Sequence, residues 1–156
     1  MDAMKRKTTP APEVPRLADF LCFAVYSANL AFGKAYKPIL QELGLTYTQY
    51  IVIIALWEED QQTVSGLGEK LFLESNTLTP MLKKLETMGY IIRTRNAADE
   101  RQVVLSLTDA GRKLREKAFD ADLFQACGLT TTEFAHLQQS VVDLRDNLIR
   151  HTADKD

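Results

Sequence analysis

Two thiols and a group of tyrosines are the side chains of this 156-residue chain best suited to covalent or acid–base chemistry. Cys22 lies in a run that reads as the first long helix. Cys127 stands just before Gly128, which separates the last two helical stretches. A thiol reacts as its thiolate, so a reactive cysteine needs a cation, a helix N-terminus or hydrogen-bond donors beside it. No lysine, arginine or histidine immediately neighbours Cys22 in sequence. Phenol hydroxyls can donate to a thiolate, and Tyr26, Tyr36, Tyr47 and Tyr50 all fall within the first two helical stretches; composition does not choose among them. The simpler reading of Cys22 is a small hydrophobe on an apolar helix face. Cys127, in a loop, has less to pack against and is more accessible to a second thiol. A structural disulfide is not expected in a cytoplasmic protein.

A second kind of chemistry, recognition of nucleic acid, is written between Thr63 and Gly111. Val64 to Leu71 reads as a short helix, followed by a link and by Ser75-Asn76-Thr77, whose side-chain oxygens suit them to cap the next helix, with Pro80 in its first turn. Leu78, Met81, Leu82, Leu85 and Met88 recur at three- and four-residue steps, leaving Thr79, Lys83, Lys84 and Thr87 facing out. Two β-rich runs, 91–95 and 103–107, then flank a polar tip holding Asp99 and Arg101, which predicts a two-stranded hairpin. A helix-turn-helix followed by a charged hairpin is the plan of a DNA-binding winged helix. Its arginine is suited to a narrow minor groove, with the carboxylate orienting the guanidinium, although an ordinary surface ion pair has the same composition. The net charge of −2 would not flag a DNA binder, but its partition does. Residues 63 to 115 hold nine basic against six acidic side chains, residues 1 to 62 six against seven, and residues 116 to 156 four against eight.

The elements that must position these groups are helical by pattern, so the expected fold is mainly α with a small β-hairpin wing, in a single soluble domain. One helix is expected from Arg16 to about Tyr36, ended by Pro38 and Gly44, and a second from about Thr46 to Trp57. A third runs from the Thr108-Asp109 cap to about Gln125, and a last one from a Thr130/Glu133 capping box to about His151. The apolar stripe of that last helix, Phe134, Leu137, Val141, Leu144 and Leu148, together with the first helix, suggests burial against a second copy of the chain. A two-fold dimer would place recognition helices about 34–36 Å apart, one DNA turn, on a palindromic operator. We divide the chain into a mobile arm (1–15), dimerisation helices (16–45 and 109–152) and a winged helix-turn-helix (46–108). No run approaches the ~20 apolar residues of a membrane span, and the arm lacks a secretory signal's apolar stretch, giving a cytoplasmic expectation. His136 and His151 are too isolated for a metal site, and no cofactor motif is present.

Over almost its whole length the chain resembles the MarR-type winged-helix repressors, and within them the organic hydroperoxide resistance regulators. The resemblance rests on 20–26 (FLCFAVY), 44–50 (GLTYTQY), 78–85 (LTPMLKKL), and Asp99-Glu100-Arg101 leading to Leu105-Ser106-Leu107-Thr108. It implies a non-enzymatic homodimer that represses when reduced. It also implies that Cys22 is the sensing thiol, with the hydroxyls of Tyr36 and Tyr47 as its hydrogen-bond partners, and that Cys127, from the other subunit, is the resolving thiol. The Cys22 thiolate would attack an organic hydroperoxide, leaving a sulfenic acid and an alcohol; Cys127 would condense with it, releasing water and forming a disulfide. Bridged α-carbons must come within about 7 Å, so disulfide formation would move helices and release the operator, and cellular thiol reductants would restore binding. The residues expected at DNA are Ser75, Asn76, Thr77, Thr79, Pro80, Lys83, Lys84, Asp99 and Arg101, while Phe20, Phe23, Ile51 and Trp57 supply apolar surroundings for organic peroxides. The competing readings are a repressor of this architecture answering to a non-covalent phenolic ligand, and a thiol peroxidase, which leaves the winged helix unexplained.

Overall fold

The computed structural model describes residues 14–118 and 122–155; the predicted arm falls almost wholly outside them. The chain divides into two compact units, 1–34 and 35–156. In the first, a short 3-10 turn (Leu17–Asp19) precedes α1 (Leu21–Leu43), which continues into the second unit. Next come α2 (Tyr47–Glu58), β1 (Gln62–Thr63), α3 (Val64–Leu71), α4 (Ser75–Thr87), β2 (Ile91–Arg95), β3 (Val103–Leu107), α5 (Asp109–Lys113), α6 (Arg115–Ala118), α7 (Asp122–Ala126) and α8 (Thr131–Ala153). The fold is mainly helical with one small antiparallel sheet, as expected.

Four expectations need correction. The first helix does not stop near Tyr36 but runs through Pro38, whose missing N–H leaves the Lys34 carbonyl without its usual partner. Ile39, Leu40 and Leu43 beyond it are buried, and that tertiary burial outweighs the local break. Gly44, at φ +68°, ends the helix instead. The sheet has three strands rather than two, in the order β1-β3-β2, with Thr63 opposite Val104 and Arg93 opposite Leu105. The helix expected from Thr108 to Gln125 is interrupted: around Leu114 a tighter bond from Lys117 N to the Leu114 carbonyl replaces the α pattern, and residues 119–121 lie outside the described set. Finally, the cap position of α4 is Glu74, with no side-chain cap bond, so Ser75, Asn76 and Thr77 form the first turn and Pro80 falls in the second.

The caps of α2 and α8 are full capping boxes: Thr46 with Gln49, and Thr130 with Glu133. The core of the second unit joins Leu43, Tyr50, Val52, Ile53 and Leu56 to Leu67, Leu78, Leu82, Leu85, Ile91, Leu105 and Leu107. The α4 stripe thus packs against α2, α3 and the sheet, which fixes which face of α4 remains outside. Among the described residues, no single helix is long and apolar enough to cross a membrane.

Candidate nucleic-acid interface and thiol site

With Leu78, Leu82 and Leu85 fully buried, α4 leaves Ser75, Asn76, Thr77, Pro80, Lys83 and Lys84 exposed along one side. Thr79 differs from the others. It is half-buried, and its hydroxyl donates to the Ser75 carbonyl at 2.7 Å, so its oxygen is engaged in the helix rather than presented outright. Thr87 makes the same kind of bond to Lys83 at 3.0 Å. The α3–α4 link is tight: Phe72 closes α3 in the left-handed region at φ +56°. Its ring lies 4.7 Å from the guanidinium carbon of Arg145 on α8, a stacking that offsets part of the strain of a bulky residue there.

The tip of the β2–β3 wing is ordered by its own side chains. Asn96 donates across it twice, from its amide to the Gln102 carbonyl and from its side-chain N–H to Gln102 Oε1, and its side-chain oxygen accepts from the Ala98 amide. Asp99 Oδ1 accepts from both the amide and Nε of Arg101 at 3.1 Å, while the Arg101 side chain remains 91% exposed. A guanidinium held in direction yet left in solvent is a cation set out for a partner. At the other end of the wing, Glu86 of α4 takes Arg93 Nε at 2.8 Å, joining recognition helix to sheet; that bond holds the Glu86 carboxyl below its usual value.

Sequence reasoning missed how the wing is anchored. Asp60 accepts through Oδ1 from the amides of Gln61 and Leu107, both at 2.9 Å, and through Oδ2 from Arg112 at 2.9 Å. Burial pushes its carboxyl up, but the amides of Leu107 and Gln61 and the Arg112 guanidinium outweigh that and hold it below the ordinary value. Trp57 donates its indole N–H to the Gly111 carbonyl at 2.9 Å, so its polar edge is committed to the wing base. A side chain at Gly111 would meet the Tyr90 carbonyl at 2.2 Å, which is why α5 starts with glycine in its first turn. The local signal for this hub is no more than the acidic stretch Glu58-Glu59-Asp60, since the distant partners of Asp60 lie 47 and 52 residues away. Between Leu56, Trp57, Asp60, Leu107, Arg112 and Arg115 lies a hollow of about 280 Å³.

Of the thiol residues, Cys22 belongs to the first unit, exposed on α1. Tyr26 is also there, its ring 6.3 Å from Phe23. The second unit gathers Tyr36, Tyr47, Tyr50 and the half-buried Cys127. The Tyr36 ring stands edge-on to Tyr47, centroids 5.4 Å apart at 62°, and tilted on Tyr50 at 5.7 Å and 49°. Burial raises the Tyr36 phenol, and the electrostatic influence of Tyr47 and, less, of Cys127 works in the same direction. Phenols kept protonated by burial remain hydrogen-bond donors, which is what a neighbouring thiolate requires. The turn carrying Cys127 is flanked by Phe124 and Phe134, their rings 5.0 Å apart. Among the described residues no cluster of histidine, cysteine or carboxylate side chains could hold a metal ion.

Comparison with known proteins places this arrangement. Residues 34–118 match the model of the transcriptional regulator SarA/Rot family. The organic hydroperoxide resistance transcriptional regulator of Bacillus subtilis is 48% identical over 105 residues, covering 67% of this chain and 71% of that protein. The reduced AbfR of Staphylococcus epidermidis bound to DNA superposes with a TM-score of 0.75 at 40% identity, covering 86% of this chain and 93% of that one. The disulfide-formed AbfR superposes at 0.61, also 40% identical, covering 86% and 90%.

Proposed function

The chain belongs to the SarA/Rot family of transcriptional regulators, with the MarR-type winged helix, and from that premise we propose a specific switch. A reduced homodimer holds a palindromic operator and releases it when an organic hydroperoxide oxidises Cys22. The observation that carries this reading is the gathering of Tyr36, Tyr47 and Cys127 in one unit from three separate stretches of chain. A thiol whose charge is felt by one phenol, itself packed on a second phenol, is an arrangement suited to activating and then trapping a second thiol. If Cys127 is supplied by the partner subunit, the phenols beside it are supplied with it: the partner subunit's Cys22 reacts among Tyr36, Tyr47 and Cys127 of one protomer.

The steps balance without a cofactor. The Cys22 thiolate, favoured by phenol donors, attacks the terminal peroxide oxygen; the O–O bond breaks, the alcohol leaves with a proton, and sulfur is left as sulfenic acid. Attack by the Cys127 thiolate forms the disulfide and releases hydroxide, which becomes water. Cys127 follows α5 to α7 in the chain, and α5 is tied to the wing base through Asp60–Arg112 and Trp57–Gly111. A movement of Cys127 that reaches α5 would act on the element that anchors β3. In the reduced state Ser75, Asn76, Thr77, Pro80, Lys83 and Lys84 face the major groove with Thr79 behind them, and Arg101, oriented by Asp99, enters the minor groove. Phosphate contacts fix register, so a small relative movement of two half-sites is enough to lose the operator. A thiol reductant reverses the change. We place the protein in the cytoplasm, where such reductants and the DNA are.

The hollow beside Trp57 and Arg115 is a place among the described residues that the alternative, a non-covalently bound phenolic ligand, could use. It is smaller than the roughly 300–1,000 Å³ of ordinary ligand sites, and Arg112 is already paired with Asp60. Operator binding by the pre-reduced protein, followed by fluorescence anisotropy, separates the two. Cumene hydroperoxide should release wild-type protein and leave Cys22→Ser bound, with dithiothreitol restoring the wild type. Release of Cys22→Ser by the peroxide would contradict the thiol mechanism.

A further inference from the structure

The two phenols assigned to the thiol do not stand alone: Tyr36 is wedged between Tyr47, half-buried, and Tyr50, which is 5% exposed and packed in the core. Tyr47 and Tyr50 lie three residues apart on α2 and so on one helix face, whereas Tyr36 comes from α1. A half-buried phenol with two freely rotating side-chain bonds spreads over several orientations unless something packs against its ring. Tyr47 is itself half-buried, while Tyr50 is fixed by the core it belongs to, in the same cluster as Ile53 and Leu43. The fixed member of the trio is therefore Tyr50. We infer that Tyr50 is a positioning residue, whose ring holds the Tyr36 phenol in the direction from which it donates to the sensing thiolate. This rests on the peroxide-sensing reading above and deepens it. The contribution is one of ring shape, so phenylalanine serves as well as tyrosine, and an aliphatic side chain of similar size does not.

Aromatic pairs prefer tilted and edge-on geometries, with centroids 4.5–7 Å apart, and the Tyr36–Tyr50 pair sits inside that range. A thiolate that loses an aligned donor is formed less readily at neutral pH. The test uses the reduced full-length protein, measuring by stopped flow the rate of Cys22 loss with cumene hydroperoxide from pH 5 to 9, alongside operator affinity before oxidation. Tyr50→Leu should slow the reaction about tenfold at pH 7 and move its pH profile upward by about one unit, the equivalence of a one-unit pKa change and a tenfold change in equilibrium. Tyr50→Phe should match wild type in both, and reduced-state operator affinity should stay within about twofold for both variants, the scale of effects outside a contact surface. A wild-type rate and profile in Tyr50→Leu would overturn the inference, as would an equal loss in Tyr50→Phe, which would make the hydroxyl rather than the ring responsible. Should Tyr50→Leu not fold, Tyr50→Met is read by the same criteria. Tyr36→Phe is run in parallel: if it slows the reaction while Tyr50→Leu does not, only the positioning role fails; if neither variant does, the tyrosine-assisted thiol itself is wrong.

Discussion

Helices α4 and α8 are both amphipathic, yet they finish their apolar faces in opposite ways. α4 buries Leu78, Leu82 and Leu85 inside its own protomer. α8, with 23 residues and a regular stripe of Phe134, Leu137, Val141, Leu144 and Leu148, contains no buried residue at all. The N-terminal half of α1 resembles α8, with Leu21, Val25, Leu30 and Phe32 exposed. A helix has little reason to keep such a face in water. The core of the winged helix is thus complete within one chain, whereas the end helices leave their apolar faces exposed, which supports the second copy proposed above. The same division applies to chemistry, because the side chains proposed to face DNA are organised locally and the thiols are distributed over two units.

The largest expected effect tests this contrast directly. Leu85→Ala should lower unfolding free energy by about 2–5 kcal/mol, from lost burial and a residual cavity, at every protein concentration. Leu137→Asp should instead shift the monomer–dimer equilibrium, so that the melting temperature becomes strongly concentration dependent and sedimentation shows monomer. If both variants behave alike, the contrast between the helices fails.

Next in size is the wing. Arg101→Ala should weaken operator affinity by about 1–3 kcal/mol, the scale of a guanidinium contact to base edges, with unfolding free energy nearly unchanged, since its surface pair with Asp99 contributes at most about 1 kcal/mol. Binding isotherms beside a urea melt check both halves. A parallel loss of stability and affinity would place Arg101 in the fold rather than at the DNA.

Asp60 gives a pH signature. Its folded carboxyl titrates below its unfolded counterpart, so the stability it contributes is present above the unfolded value near pH 4 and is lost as pH falls through the lower folded value. Asp60→Asn should flatten that part of the stability–pH curve, measured by chemical denaturation between pH 3 and 6. An unchanged slope would remove Asp60 as the wing anchor. The smallest effect belongs to Lys83→Ala, which should reduce the salt dependence of operator binding by about one unit of slope without altering the peroxide response.

The same contrast explains how much was legible in the chain. α3, β2, β3 and the inner stripe of α4 follow from short-range spacing, and the Thr130/Glu133 box announces the start of α8. β1 was not legible, because two residues carry no alternation and Gln62 and Thr63 become a strand only by pairing with Leu105 and Val104. Pro38 read as a stop because local chemistry says so, and burial of Ile39 and Leu40 reverses it. Nothing near Asp60 names Leu107 or Arg112 as partners. The assignment of a thiol site came only through family resemblance: the residues left four tyrosines as candidates, and packing of α1 on α2 brings three of them, Tyr36, Tyr47 and Tyr50, into ring contact.

The central claim is that two cysteines from different subunits form the switch, and one measurement addresses it most directly: the non-reducing mass of pre-reduced protein after one equivalent of an organic hydroperoxide. We repeat it for Cys22→Ser, for Cys127→Ser and for heterodimers of the two variants. The account predicts a covalent dimer in wild type and in the mixed heterodimer, absent from either variant alone and abolished by a thiol reductant. An unchanged monomer mass in the wild type would contradict it.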